Sequence, residues 1–206
     1  MSWIVHLDTD LVVVNKPTGM LSVPGRGPER ADCAWTRVQA IAPDALVVHR
    51  LDMATSGLLL FGRGAAMQRA LSISFAQRRV HKRYIAVVEG GPHEDAGEVD
   101  LALIADWPNR PRQKVDIHLG KPSLTRWRVL SRESGRTRLA MEPVTGRSHQ
   151  LRVHAAAMGW PIVGDALYGD ASQPGAAPRL LLHACELHLP HPLDGLERTW
   201  SSPAPF

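Results

Sequence analysis

The chain has 206 residues, 44% of them apolar, so it can bury a sizeable core and is not a disordered polymer. Twenty-four Lys and Arg against 20 Asp and Glu give a net charge of +4, which permits a nucleic-acid partner without requiring one. No apolar run reaches the roughly 18 residues of a membrane-spanning helix. Residues Met1 to Asp8 lack the basic region and apolar core of a signal peptide, and Cys33 and Cys185 stand too far apart to suggest a metal or redox motif, so a reduced, cytoplasmic chain is expected.

Taken in order, Asp10 to Lys16 places four consecutive apolar residues between polar ends and reads as a strand, which Pro17-Thr18-Gly19 breaks. Gly25 and Gly27 follow in a loop without the Gly-Lys-Ser/Thr of a phosphate loop. Asp32 to Ile41 is expected to be a short helix capped by Asp32. The apolar runs Ala45 to Val48 and Leu58 to Phe61 read as buried strands flanking a polar stretch. Gly64 to Arg79 is expected to be a helix with Ala66, Met67, Ala70, Leu71, Ile73 and Phe75 on its apolar face, and with Arg78 and Arg79 answering the dipole at its C-terminal end. His81 to Gly90 alternates as a strand, with Tyr84, Ala86 and Val88 sharing a face.

A short strand is expected at Gly97 to Leu101. After it comes a polar loop, Asp106 to Lys114, whose Trp107, Arg110, Arg112 and Lys114 suit base stacking and phosphate contact, although Trp107 could instead fold back onto the core. Thr125 to Leu130 and Thr137 to Met141 read as a hairpin turning at Glu133-Ser134-Gly135, with Trp127 and Val129 on one side and Arg126 and Arg128 on the other. Ser148 is expected to cap a helix that runs to Met158 and ends at Gly159. His149 and His154 are spaced poorly for one helical face, so no zinc site is expected. Leu180 to Leu189 is a strand, and Arg198 to Ser202 a short edge strand.

Between the two buried runs lies His49-Arg50-Leu51-Asp52-Met53-Ala54-Thr55-Ser56-Gly57-Leu58. An acid held there is either a turn-capping group or a catalytic carboxylate on a loop fixed by two strands. This stretch resembles the signature of the RluA family of pseudouridine synthases. Three other stretches extend the resemblance: Asn15-Lys16-Pro17 to Gly25, Pro143 to His154, and Pro161 to Gly169 with Leu180 to Leu189. The resemblance covers roughly residues 10 to 205 and is closest to the branch named for RluA itself.

The resemblance implies an α+β pseudouridine synthase fold: a mainly antiparallel sheet flanked by helices, a central catalytic cleft, and a single catalytic domain over residues 1–206 without an N-terminal S4 domain. It implies that Asp52 is the nucleophile or base, that Arg152 pairs with it and keeps it ionised, and that Tyr84 stacks on the uracil. Arg50 would fill the place of the flipped base, a role suited to a planar guanidinium. His49, Thr55, Arg147, His149 and Gln150 would contact RNA beside the basic loop, Leu151 and Val153 would wall the uracil pocket, and Lys16 and Pro17 would support the catalytic loop. No cofactor or metal is implied. The expected partner is a structured RNA, the tRNA anticodon stem-loop at position 32 or a 23S rRNA stem-loop at position 746, acted on by a monomer. Two rivals are an inactive RNA-binding relative and a glycoside-cleaving enzyme pairing Asp52 with Glu142 or Asp165.

Overall fold

The computed structural model describes residues 3–169 and 177–206. They divide into two compact units, one made of residues up to Lys82 together with Ala184–Pro205, the other of Arg83–His183 with Phe206. Met1 and Ser2 of the signal-peptide reading lie outside the described residues.

The first unit opens with β1 (Ile4–Leu7) and β2 (Leu11–Lys16), which pair antiparallel. The Leu-Val-Val-Val run of β2 is fully buried on both faces, as a central strand requires. Helix α1 (Ala34–Gln39) follows. Its cap is Cys33 rather than the expected Asp32: Cys33 Sγ and Thr36 form a reciprocal capping box, while Asp32 is held outward by Arg37 at 2.6 Å. Strand β3 (Ala45–Val47) and strand β4 (Ser56–Arg63) lie on either side of the polar stretch, and β4 pairs antiparallel with both β2 and β3.

Helix α2 (Gly64–Ala76) ends three residues before the expected Arg79, because Arg78 turns into the left-handed region. Its buried stripe is Met67, Leu71 and Ser74, spaced i, i+4, i+7, whereas Ala66 and Ile73 of the expected face are exposed. That stripe meets Leu11, Val13, Leu58, Leu60 and Val80 in the core of this unit, with Val48 and Phe75 packed at its edge.

The second unit is built on antiparallel strands. Strand β5 (His81–Glu89) pairs with β10 (Arg136–Pro143), β10 with β9 (Leu124–Glu133), and β9 with β6 (Ala96–Asp100). The order is β5-β10-β9-β6, so β5 and β6 are not neighbours. Tyr84, Ala86 and Val88 are the buried face of β5, as their alternation requires. Ser134 and Gly135, both at positive φ, make the two-residue turn between β9 and β10, and Trp127 points inward from β9 to meet Trp160 edge-on at 5.8 Å. Strands β7 (Leu103–Ala105) and β8 (Gln113–Val115) form a separate hairpin, so the polar loop expected from Asp106 to Lys114 is the hairpin's tip plus the start of its second strand.

Helix α3 (Gln150–Ala157) begins two residues after the expected cap Ser148. His149 takes the cap position in a left-handed conformation and gives no side-chain cap; the Gln150 side chain reaches back to accept from the Arg147 N–H at 3.0 Å, which fixes the turn before the helix rather than its first N–H groups. The chain then returns to the first unit with β11 (Leu182–Pro190), next to β4, and β12 (Glu197–Ser201), antiparallel to β11. The fold is α+β, dominated by antiparallel strands, as expected.

Candidate active site

In the first unit the chemistry concentrates on the loop between β3 and β4. Asp52 is half-buried near its centre, and the backbone on both sides of it is held by the segment after β2. Ser22 Oγ accepts from the Leu51 N–H at 3.0 Å and donates to the Leu51 carbonyl at 2.7 Å. The Met53 carbonyl accepts from Lys16 Nζ at 3.2 Å and from the Gly19 N–H at 2.8 Å. Thr18 Oγ1 donates to the Ala54 carbonyl at 2.7 Å, and the Thr55 N–H donates to Asp52 O at 3.1 Å. Lys16, with no exposed surface, also donates to the carbonyls of Pro17 and Met20. An ammonium group is costly to bury, and three carbonyl acceptors offset that cost while fixing two loops to each other. Gly57 has a similar logic: a Cβ there would lie 2.3 Å from the Ala184 carbonyl oxygen, so only glycine lets β11 come that close to the end of the loop.

His49 sits at the loop's start. Its Nε2 accepts from the Leu60 N–H at 3.0 Å, and its ring stacks on Phe75 with centroids 4.7 Å apart. Burial, reinforced by the nearby Lys82 charge, pushes its pKa down to about 3, and burial lowers that of Lys82 as well. His49 is therefore a neutral acceptor that anchors the loop to β4 and α2. Thr55, also expected to contact RNA, is buried. Arg50 is exposed, as a side chain meant for RNA must be.

In the second unit, α3 carries a further group of the expected residues. The Arg152 guanidinium is 5% exposed and makes a two-pronged pair with a fully buried carboxylate, Asp165, with Nε–Oδ2 and Nη2–Oδ1 both at 2.7 Å. Burial pushes the Asp165 carboxyl up, but the Arg152 charge and the N–H groups of Leu167 and Tyr168 outweigh it and hold the group below the usual carboxylate range. The Tyr168 ring lies over the guanidinium at 5.2 Å. Its hydroxyl accepts from the Gln113 N–H and meets His149 Nδ1, each at 2.7 Å, so the β8 strand and the start of α3 share one anchor.

Gln150, expected at the RNA, is buried with both ends of its amide used: Oε1 accepts from Thr145 and Arg147, and Nε2 donates to Leu124 O and Thr125 Oγ1. It holds α3 against β9. His154 does the same through Thr125 and Leu101, and burial keeps it neutral. Leu151 and Val153 are buried apolar side chains on the same helix, and Tyr84 is buried on β5. Arg147 is exposed, with Nε donating to Pro122 O. Trp107 is 66% exposed rather than folded onto the core, and Arg110 stacks on its ring at 4.1 Å. As the partner of Arg152, Asp165 was not foreseen: the sequence named it only as a carboxylate of the glycosidase rival, and Tyr168 only as part of the stretch Pro161 to Gly169.

The glycosidase rival fails on these contacts. A general acid needs a raised pKa and access to substrate. Asp165 has neither, and Glu142 is an exposed partner of Arg83 at 3.2 Å.

Comparison with known proteins gives the family. The RNA pseudouridylate synthase family model matches residues 10–157. The chain is 48% identical over 203 residues to the dual-specificity RNA pseudouridine synthase RluA of Vibrio cholerae serotype O1, covering 98% of this chain and 83% of that one. It is 48% identical to the protein of that name from Escherichia coli K12, over 99% of this chain and 94% of the other. Among solved structures, human RNA pseudouridylate synthase domain containing 1 superposes with a TM-score of 0.80 at 29% identity, covering 98% of this chain and 83% of that one. A loop built around one aspartate, a buried arginine on α3 and this breadth of likeness lead to one conclusion: the chain belongs to the RNA pseudouridylate synthase family.

Proposed function

We propose that this protein isomerises uridine to pseudouridine in structured RNA, with Asp52 as the group that acts on the nucleotide. The observation that carries the reading is the support of Asp52: Leu51, Met53 and Ala54 are each tied through backbone groups to the Lys16–Ser22 segment. Such fixing is what a group that must meet a reacting atom needs. The reaction breaks C1′–N1, turns the uracil, joins C1′ to C5, and moves the C5 proton off as N1 regains one. Asp52 attacks C1′ or removes the 2′ proton; either route uses an ionised carboxylate. Arg152 serves as its partner, and Asp165 presets the guanidinium's plane. Tyr84 stacks on the base, Leu151 and Val153 wall the pocket, and Arg50 occupies the space the flipped nucleotide leaves, at an unstacking cost of a few kcal/mol.

The substrate is a compact RNA loop, read by shape and splayed bases. The likeness to relatives named as dual-specificity RNA pseudouridine synthases supports two targets, the tRNA anticodon stem-loop at position 32 and the 23S rRNA stem-loop at position 746. Trp107, Arg110, Arg112 and Lys114 on the hairpin tip contact that RNA. No described helix is long and apolar enough to cross a membrane. In this reading the protein acts in the cytoplasm as a monomer.

The test compares wild type with Asp52→Ala on a tRNA anticodon stem-loop and a 23S rRNA stem-loop, mapping pseudouridine by carbodiimide labelling and primer extension. A stop that wild type produces and the variant does not supports the reading. RNA binding without a stop in any cellular RNA would make the protein an inactive relative.

A further inference from the structure

The end of α2 closes with two backbone hydrogen bonds: the Arg79 N–H donates to Ser74 O at 2.9 Å and the Arg78 N–H to Phe75 O at 3.1 Å. This closure puts Arg78 in the left-handed region, at φ 58°. Glycine is the ordinary occupant of that place, because a Cβ crowds the following carbonyl. The chain follows that habit elsewhere: ten described residues at positive φ are glycines and only three are not. At Arg78 a side chain has been kept at the expense of the backbone.

That side chain is exposed, and neither Arg78 nor Arg79 has a carboxylate partner among the described residues. Other arginines of the same unit do: Arg37 with Asp32, Arg63 with Asp44, Arg198 with Asp194. The helix dipole does not explain the choice, since a cation at Arg79 answers it without left-handed strain. The position in the fold does. Phe75, the residue whose carbonyl Arg78 caps, stacks on His49 at the start of the Asp52 loop, and Lys82 Nζ lies 5.9 Å from the same ring.

We propose that Arg78, with Arg79 and Lys82 beside it, is a phosphate-binding site for the RNA strand that carries the target uridine. The assignment rests on the RNA reading above. Charge complementarity selects the occupant: Arg78 and Arg79, cations without carboxylate partners among the described residues, next to the loop a nucleotide must reach.

Arg78→Gly tests it, because the two effects of that change have opposite signs. Relief of the left-handed strain should raise Tm by about 2 °C. Affinity for a fluorescein-labelled tRNA anticodon stem-loop should fall about 5-fold at 0.1 M salt, and the slope of log affinity against log salt should become shallower by about 0.7, one phosphate contact on a single strand. Arg78→Lys should keep the wild-type slope. Wild-type affinity and slope in Arg78→Gly would overturn the site. So would an equal loss of slope in Arg69→Ala, an exposed arginine on α2, since that would mean diffuse charge. A wild type that binds the stem-loop and forms pseudouridine beside an unaffected Arg78→Gly fails only this assignment; a wild type that does neither takes the RNA reading down with it.

Discussion

Buried polar side chains decide how this site is held, and each can be tested singly. Asp165→Asn removes the charge that answers Arg152. Breaking a buried pair by removing one of its charges costs about 3–5 kcal/mol, so Tm should drop by 6 °C or more on the rough scale of 2–4 °C per kcal/mol for a chain of this size. The double change Arg152→Met with Asp165→Leu should recover most of that stability, because the buried carboxylate and its guanidinium are removed together, yet yield no pseudouridine. A double variant that still turns over would remove Arg152 from the chemistry. Ser22→Ala asks a different question. It strands the N–H and carbonyl of Leu51 next to Asp52, at about 1–3 kcal/mol for a buried group left without its partner. A loosened Asp52 should lower kcat by about 10- to 100-fold. KM should hold, because the RNA contacts lie elsewhere; a change confined to KM would reassign Ser22 to binding.

At the scale of elements, His49 links the Asp52 loop to α2 and β4, and it does so only while neutral. The unfolded chain takes up a proton at this ring near its ordinary pKa of about 6.5, whereas the folded chain resists until about 3. The unfolded state therefore binds more protons in between, and stability falls as pH drops through that window, by up to ~1.4 kcal/mol per pH unit for one such group. His154, also lowered by burial, adds in the same direction. Tm measured from pH 7 to pH 5 should decline, and His49→Gln, whose amide oxygen can still accept from Leu60, should flatten the decline; equal slopes would show that the ring is not the sensor. Elements also show what a sequence makes legible. The strands were readable because alternation or an unbroken apolar run is a local signal, and the Ser134-Gly135 turn because its residues tolerate positive φ. Caps were misplaced for a physical reason. Asp32 and Ser148 are good capping types, but Cys33 with Thr36 caps α1, and the left-handed His149 opens α3 with no side-chain cap, outcomes that residue type alone does not reveal. The hairpin at Leu103–Val115 was hidden because its strands are three residues long.

For the whole molecule, the question is which positive charge is available to RNA. The sequence shows basic clusters of similar weight, and it cannot show which are neutralised by folding. The positions of Asp52 and Arg152 were legible because both lie in specified motifs. The duties of Thr55, His49 and Gln150 were not, since side chains inside a motif can face either the substrate or the scaffold. Three of the five β9 and β10 arginines turn out to be spoken for: Arg126 meets Glu98 at 2.7 Å, Arg132 meets Asp95 at 2.8 Å, and Arg136 meets Glu89 at 3.1 Å. Arg110, Arg112 and Lys114 form no ion pair among the described residues. Neutralised arginines release no counterions when RNA arrives, because their charge is already matched, whereas each unmatched cation that meets a phosphate contributes about 0.7 to the salt slope. Converting Arg110, Arg112 and Lys114 together to alanine should flatten the salt dependence of stem-loop binding by about 2 and abolish saturation at working RNA concentrations. Converting Arg126 and Arg132 to alanine removes two charges and should leave the slope near that of wild type. If the second variant flattened the slope as much as the first, net charge rather than placed charge would govern binding, and the hairpin tip would lose its claim on the RNA.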